Sequence, residues 1–330
     1  DKLDYEFLYV GSLASWVGSN DIGLDRGQLG SEKLVKFIKK GNKLLLVEPN
    51  LYYRAETENK SEKKSVEQAF AKSVIFGFEI IESKDQYHLV DFTPFLMFDR
   101  HGVAKRLRDS KQGTYKIDKS KSAVELKNTK AFPENVEFEA LLTFSGEAKG
   151  NLIRSVSPDP NNVTVIQHHS FIKLPDSKYK PRKFDPRSGA ISISYMDYST
   201  PIDEPITKKY IIRHRLEKKN PELEISEAVE PIIYYLDPGT PEPVKSALLD
   251  GGKWWNQAYE SIGFKDAFQV KMLPEDADPL DCRYNVIQWV HRSTRGWSYG
   301  ASVVDPRTGE IIKGHVLSLI HISEPTRRIE

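Results

Sequence analysis

Pro231-Ile232-Ile233-Tyr234-Tyr235-Leu236, then Asp237-Pro238-Gly239-Thr240-Pro241, then Val244 to Gly263 (VKSALLDGGKWWNQAYESIG) read in order as strand, turn and helix. The first run is apolar and Tyr-rich. The second holds Thr240 as an expected helix cap and Pro241 at the first helical position, where a missing N–H costs nothing. In the third, Val244, Ala247, Leu248, Trp255, Ala258 and Ile262 recur at helical spacing, which predicts one apolar face. Gly251-Gly252 interrupts that helix at about 1 kcal/mol per Gly against Ala, so a close approach to a sheet is the expected compensation. Gly263 ends it. Strands follow at Phe268–Leu273, Tyr284–His291, Tyr299–Val304 and Glu310–Val316, so strand and helix alternate in this last third.

Upstream the pattern differs. Leu34–Ile38 and Lys43–Val47 flank Lys40-Gly41-Asn42, a hairpin turn with Gly free to take φ > 0. Ser61 to Ser73 reads as a short helix capped by Ser61, and Thr93 to Arg108 as a second helix interrupted at Gly102. Further strands are expected at Val74–Ile81, His88–Phe92, Val136–Phe144, Val163–Leu174, Ile191–Met196 and Tyr210–Arg213. The charged, Pro-broken stretch Leu216–Glu230 is the expected linker. Asp185-Pro186-Arg187-Ser188-Gly189 and Asp305-Pro306-Arg307-Thr308-Gly309 are one hairpin-turn solution used twice. The expected fold class is α+β, a β-rich domain over residues 1–220 followed by an α/β unit over 221–316.

Composition narrows the function. The chain has 330 residues, 39% apolar and 29% charged, which is enough for two domains. With 48 basic and 47 acidic side chains the net charge is +1, without the basic excess of a general nucleic-acid binder. No uncharged apolar run reaches the roughly 18–20 residues a membrane-spanning helix needs. Cys282 is alone, so it forms no internal disulfide and builds no thiolate zinc site.

The chemical motifs are sparse. Gly296-Trp297-Ser298-Tyr299-Gly300 matches G-x-S-x-G, but a nucleophile elbow leads into a helix, and Ala301-Ser302-Val303-Val304-Asp305-Pro306 cannot start one. His168 and His169 are adjacent in a strand, so they face opposite ways and cannot share an ion. His88, His101, His214, His291 and His315 are solitary, and no H-E-x-x-H occurs, so no metal residue and no catalytic residue is assigned in this chain. The acidic loop Glu275–Asp281 lacks the Gly and later Glu of a calcium loop and reads as a solvated connection. Neither a P-loop nor G-x-G-x-x-G is present.

Several longer runs resemble a known family. They are Gly18–Gly30 (GSNDIGLDRGQLG), Gln167-His168-His169-Ser170-Phe171, Ile193-Ser194-Tyr195-Met196-Asp197, Arg213–Lys218, Lys253–Ala258, Arg283–Trp289 and Gly309–Val316. Together they resemble the large bacterial zinc-dependent metalloproteases that join a β-rich DUF5117-type domain to a metzincin-like DUF4953-type catalytic domain. That resemblance implies zinc in the full-length protein, none bound by this chain alone, a peptide or protein substrate, and an extracytoplasmic location. It also implies that the zinc motif lies downstream of Gly314-His315-Val316, so that the chain ends in the upstream half of a zincin-like domain and is inactive alone. The helix backing the sheet would be Pro241–Ile262, and the substrate-binding edge strand would be Tyr299, Gly300, Ala301, Ser302 and Val303. Leu317–Arg327 resembles the conceptual translation of a transposase-type sequencing adapter, so native sequence is expected to stop near Val316, with 317–330 a scar. Otherwise that segment is a strand with a polar tail. The alternative function is a non-catalytic β-rich surface or carbohydrate-binding protein, with Trp254, Trp297 and Tyr299 able to stack on sugars, although burial against the sheet is expected of them.

Overall fold

A computed structural model describes residues 2–15, 17, 20–294 and 296–319. Eight strands run β1 (Glu6–Ser15), β2 (Lys33–Lys40), β3 (Lys43–Glu48), β4 (Ser73–Lys84), β5 (Tyr87–Val90), β6 (Gly113–Ile117), β7 (Asn135–Ala148) and β8 (Asn162–Lys173). They form an antiparallel sheet in the order β5-β4-β3-β2-β1-β8-β7-β6, with short strands Ala123–Val124 and Lys130–Ala131 added along β7. Lys40 pairs with Lys43 around Gly41-Asn42, and Gly41 sits at φ +57°, as the hairpin requires.

The centre of this sheet is buried on both faces because alternation sends successive β1 residues to different cores. Tyr9 and Leu13 join Val35, Leu46, Phe78 and Phe144 on one side. The helices α2 (Thr93–Leu96), α3 (Val103–Asp109) and α4 (Asn151–Val156), which follow α1 (Lys60–Ala69), cover that side through Phe95, Leu107 and Ile153. Leu8 and Val10 point the other way, toward Leu34 and Ile172 and on to Cys282 and Val303 of the last third. Two helix starts differ from expectation. Asn59, not Ser61, caps α1, accepting from the N–H groups of Ser61 and Glu62 at 3.0 and 3.3 Å. Gly102, at φ +77°, splits α2 from α3, and the Asp99 carboxylate caps α3 from outside through the N–H groups of Gly102, Val103 and Ala104.

A small sheet of β9 (Ser192–Asp197), β10 (Thr207–Ile211) and Tyr53–Arg54 follows. Leu216–Glu230 is not a free linker. Lys218 bridges to Ala228, Ser226–Glu227 pairs in parallel with Phe264–Lys265, and the Lys218 ammonium donates to the carbonyls of Leu223 and Glu224. Its charges satisfy its own backbone, which composition alone does not reveal.

The last third is a mixed sheet of β11 (Ile232–Leu236), β12 (Phe268–Met272), β13 (Asn285–Val290), β14 (Tyr299–Val304) and β15 (Ile311–Leu319), in the order β12-β11-β13-β15-β14. The first four are parallel, and β14 is antiparallel at the edge. The helix α5 (Val244–Glu260) packs on β12. It starts later than expected: Thr240 spends its hydroxyl on the Asp237 carbonyl at 2.8 Å, and Pro243 takes the cap position with no side-chain bond. Its contact face also differs. Gly252 lies where a Cβ would strike Val270, Tyr259 stacks on Phe268, and Asn256 accepts from the Phe268 N–H. Ala247, Trp254, Trp255, Ala258 and Ile262 are exposed instead, and Gly251 meets nothing. Only one of the two glycines is needed for close approach. β15 continues through Leu317-Ser318-Leu319, so the start of the adapter-like segment is paired with β13, and Leu317 is buried. Residues 320–330, including His321, lie outside the described residues.

Candidate functional site

Tyr299, Gly300, Ala301, Ser302 and Val303 all lie on β14, paired inward with Leu317, Val316, His315, Gly314 and Lys313 in that order. No strand pairs with the outer side of β14 among the described residues. Alternation divides its side chains: Val303 is buried in the cluster with Leu8, Val10 and Leu34, and Tyr299 packs on Val290 and Leu317, whereas Gly300 is exposed. The G-x-S-x-G motif therefore runs into this strand and not into a helix.

The loop leading into β14 is fixed from the other half of the chain. Arg292 donates from Nη1 to both Asp25 oxygens at 3.2 and 3.1 Å and from Nη2 to Asp21 at 3.0 Å, and the Thr294 hydroxyl also donates to Asp21 at 3.0 Å. The Arg292 and Asp25 side chains are 8% and 4% exposed, so this pair is desolvated. The turn after β14 is held similarly. Arg54 donates to the carbonyls of Pro306 and Arg307 at 2.6 and 3.1 Å, while Asp305 grips Arg307 through Nε and Nη2. Asp185 and Arg187 repeat that internal grip in the twin turn, but there it is exposed.

Between the large sheet and the five-stranded sheet lies a cavity of about 310 Å³. Val10, Leu29, Ile172, Leu280, Val286 and Val303 give it a mainly apolar wall. Its polar side is built on β7 and β8. Glu137 and Glu139, two apart on one strand, face the same way and clamp His168: Nε2 bonds Glu137, and Nδ1 lies 3.2 Å from Glu139. The Ser170 hydroxyl donates to Glu137 at 2.6 Å, the Asn135 amide also reaches Glu137, and Asn128 donates to Glu139 at 2.6 Å. Burial alone would depress the His168 pKa, but the two carboxylates outweigh it and hold it up at about 9, an imidazolium at neutral pH. His169 points to the opposite core against Tyr9, where burial and the His168 charge lower its pKa to about 3.

The floor of the cavity is the loop expected to be solvated. Glu275 and Asp276 are exposed, but Asp278 pairs with Lys130 at 2.5 Å, and the Asn135 side chain bonds the Leu280 carbonyl and the Cys282 N–H. Lys313 donates to the carbonyls of Pro279 and Asp281 at 2.6 and 3.3 Å. The loop is a staple between the two halves, made by backbone groups that its acidic composition hides. Burial raises the Cys282 thiol to about 12, so it is inert as a nucleophile.

These residues do not fit zinc. Both nitrogens of His168 are taken by carboxylates, so no lone pair remains for an ion. His88, His101 and His214 bond Ser83, Gln28 and Tyr234, and no group of three or more His, Cys, Asp and Glu converges among the described residues. The sequence reading missed Glu137, Glu139 and Lys313. The i, i+2 spacing of the two glutamates on an expected strand was the available signal.

Residues 27–219 match the family model described as Domain of unknown function (DUF5117). The chain belongs to this family. The DUF5117 match spans β2 to β10, contains the Glu137–His168–Glu139 cluster and stops before the five-stranded sheet. No curated protein and no solved structure matches the chain. Among the described residues no helix is long and apolar enough to cross a membrane.

Proposed function

We propose that this chain carries the DUF5117 domain and the substrate-presenting sheet of a zinc-dependent metallopeptidase whose metal ligands lie outside the residues described here. The observation that carries the reading is β14. It is an antiparallel edge strand on an otherwise parallel, helix-backed sheet, and no strand among the described residues pairs with its outer side, where an extended peptide would add. Its buried Val303 and the Arg292 clamp on the loop before it anchor the strand in place. The exposed apolar stripe on α5 gives further support, since a second helix on the same sheet face would cover it. The residues of this chain would bind and align substrate, and the metal would supply the hydrolytic chemistry. The proposed location is extracytoplasmic.

The product of the intact gene is the proper test. Zinc-dependent hydrolysis of an unfolded protein such as casein, abolished by a chelator and weakened by Ser302→Pro on the edge strand, supports the reading. No hydrolysis by the zinc-loaded intact product refutes it. A second reading, a carbohydrate-binding surface protein, draws on one observation: Trp254 and Trp297, expected to be buried, are 75% and 78% exposed, whereas Tyr299 is half-buried. Binding to immobilised polysaccharide that is lost in Trp254→Ala and Trp297→Ala would favour it.

A further inference from the structure

The helix α1 borders a groove that the edge strand does not involve. None of its residues is buried. Val66 on the helix and Phe70 just past its end are half-buried, and Phe70 stacks on Tyr53 with ring centroids 3.8 Å apart. Between α1, β2, the end of β3 and the loop after it lies an open space of about 520 Å³, within the range of small-molecule sites. Val47, Leu51, Tyr53, Val66 and Phe70 give it an apolar floor. A short, lysine-rich helix packs too lightly to cover that floor, so apolar surface is left open beside it.

The rim is basic, and part of that charge is uncommitted. Arg54 is fully used: Nε donates to the Leu51 carbonyl, Nη1 and Nη2 donate to the carbonyls of Arg307 and Pro306, and the guanidinium lies 4.1 Å from the Tyr195 ring centroid. Lys36 pairs with Asp4 at 3.3 Å, and Glu6 lies 3.8 Å from Arg307. Lys63, Lys64 and Lys72 also line the groove, and none of the three has an ion-pair partner among the described residues. Glu67 is the one lining carboxylate that is likewise unpaired among those residues. Three unpaired ammonium groups against one carboxylate leave a local positive excess in a chain whose net charge is only +1.

We propose that this groove binds a small carboxylate with an apolar body, of the aryl-alkanoate kind. The floor supplies the driving force, and the ammonium rim favours the anion over neutral or cationic molecules of the same shape. The size of the space fits a free small molecule. An acidic side chain on a peptide would offer the same chemistry, and the test separates the two. Every lining residue except Glu6 falls within residues 27–219, so the site belongs to the DUF5117 domain, and the inference does not depend on peptidase activity.

Titration of the whole chain, followed by NMR, with 4-phenylbutyrate, 4-phenylbutanol and 4-phenylbutylamine compares one apolar body under three head groups. The acid should bind at least about fivefold tighter than the alcohol, with the amine weakest. Combining Lys63→Gln, Lys64→Gln and Lys72→Gln should erase the advantage of the acid and leave the alcohol within about twofold; these exposed positions are not needed for folding. Val66→Trp, which fills the floor, should weaken acid and alcohol alike. Equal affinity for acid and alcohol, no binding of any probe, or an undiminished preference for the acid in the triple variant would each overturn the proposal. Unchanged affinities in Val66→Trp would place the guest elsewhere and refute the site. Tighter binding of acetyl-Phe-Glu-Phe-amide than of 4-phenylbutyrate would overturn the small-molecule assignment in favour of a protein partner.

Discussion

Arg292 and Asp25 meet across the boundary between the two halves of the chain, with Nη1 at 3.1 and 3.2 Å from the carboxylate oxygens and both side chains almost fully buried. The residues are 267 positions apart, yet their contact fixes the loop that leads into the edge strand. A buried pair is weak evidence for net stability, but breaking one is costly because the surviving charge loses its buried countercharge in a desolvated place. Asp25→Asn or Arg292→Met is therefore expected to cost about 3–5 kcal/mol in urea unfolding. Replacing both together, Asp25→Leu with Arg292→Met, should recover most of that loss. An additive double variant would mean that the pair is not coupled.

The His168 clamp gives the stability a definite pH dependence. Its folded pKa of about 9 lies above the unfolded value near 6.5, so its contribution is full below pH 6.5 and is lost as pH rises through 9. Burial and neighbouring charge lower His169 to about 3 and His315 to about 4, so those two destabilise the fold as pH falls below 6.5. Unfolding free energies of wild type and His168→Gln should converge between pH 6.5 and 9.5, by an amount on the order of 3 kcal/mol. A gap that stays constant over that range would contradict the imidazolium assignment.

Gly27→Ala should be among the more damaging small substitutions. The residue is at φ +76°, and its new Cβ would meet the Gln288 amide. Backbone strain and displacement of Gln288 together are expected to cost about 1–3 kcal/mol, read from the midpoint of chemical denaturation. Gly251→Ala, on the open side of α5, should instead be neutral or stabilising by up to about 1 kcal/mol.

The two faces of α5 should respond oppositely. Tyr259 stacks on Phe268, and Tyr259→Ala is expected to cost about 1–3 kcal/mol. Trp254→Ser and Trp255→Ser should change the stability of this chain by less than about 0.5 kcal/mol, because 75% and 65% of those residues face solvent. Thermal melts of the three variants separate the faces.

The β-rich first part was legible in the sequence, because alternation and turn residues such as Gly41 and Gly102 mark strands and breaks locally. After Pro231 the strand, the helix and the later strands were legible too, but strand and helix do not go on alternating: among the described residues α5 is followed by strands alone. What could not be read was set by contacts distant in sequence. The apolar residues of α5 predict one buried face, but Gly252 and Asn256 let the helix approach β12 on a different side, which leaves both tryptophans outside. The acidic loop reads as solvated because its anchoring groups are the backbone of Pro279, Leu280, Asp281 and Cys282, invisible to composition. The Glu137–His168–Glu139 cluster needs the register of β7 on β8, and single-sequence periodicity places residues on faces without saying which strand lies opposite.

The proposed origin of the five-stranded sheet has a direct test in DNA. Sequencing the chromosomal locus through the codon for Val316 and beyond should reveal an open frame that departs from the Leu317–Arg327 segment and reaches a His-Glu-x-x-His motif. A stop codon at that point, with no such histidine pair downstream, would contradict it.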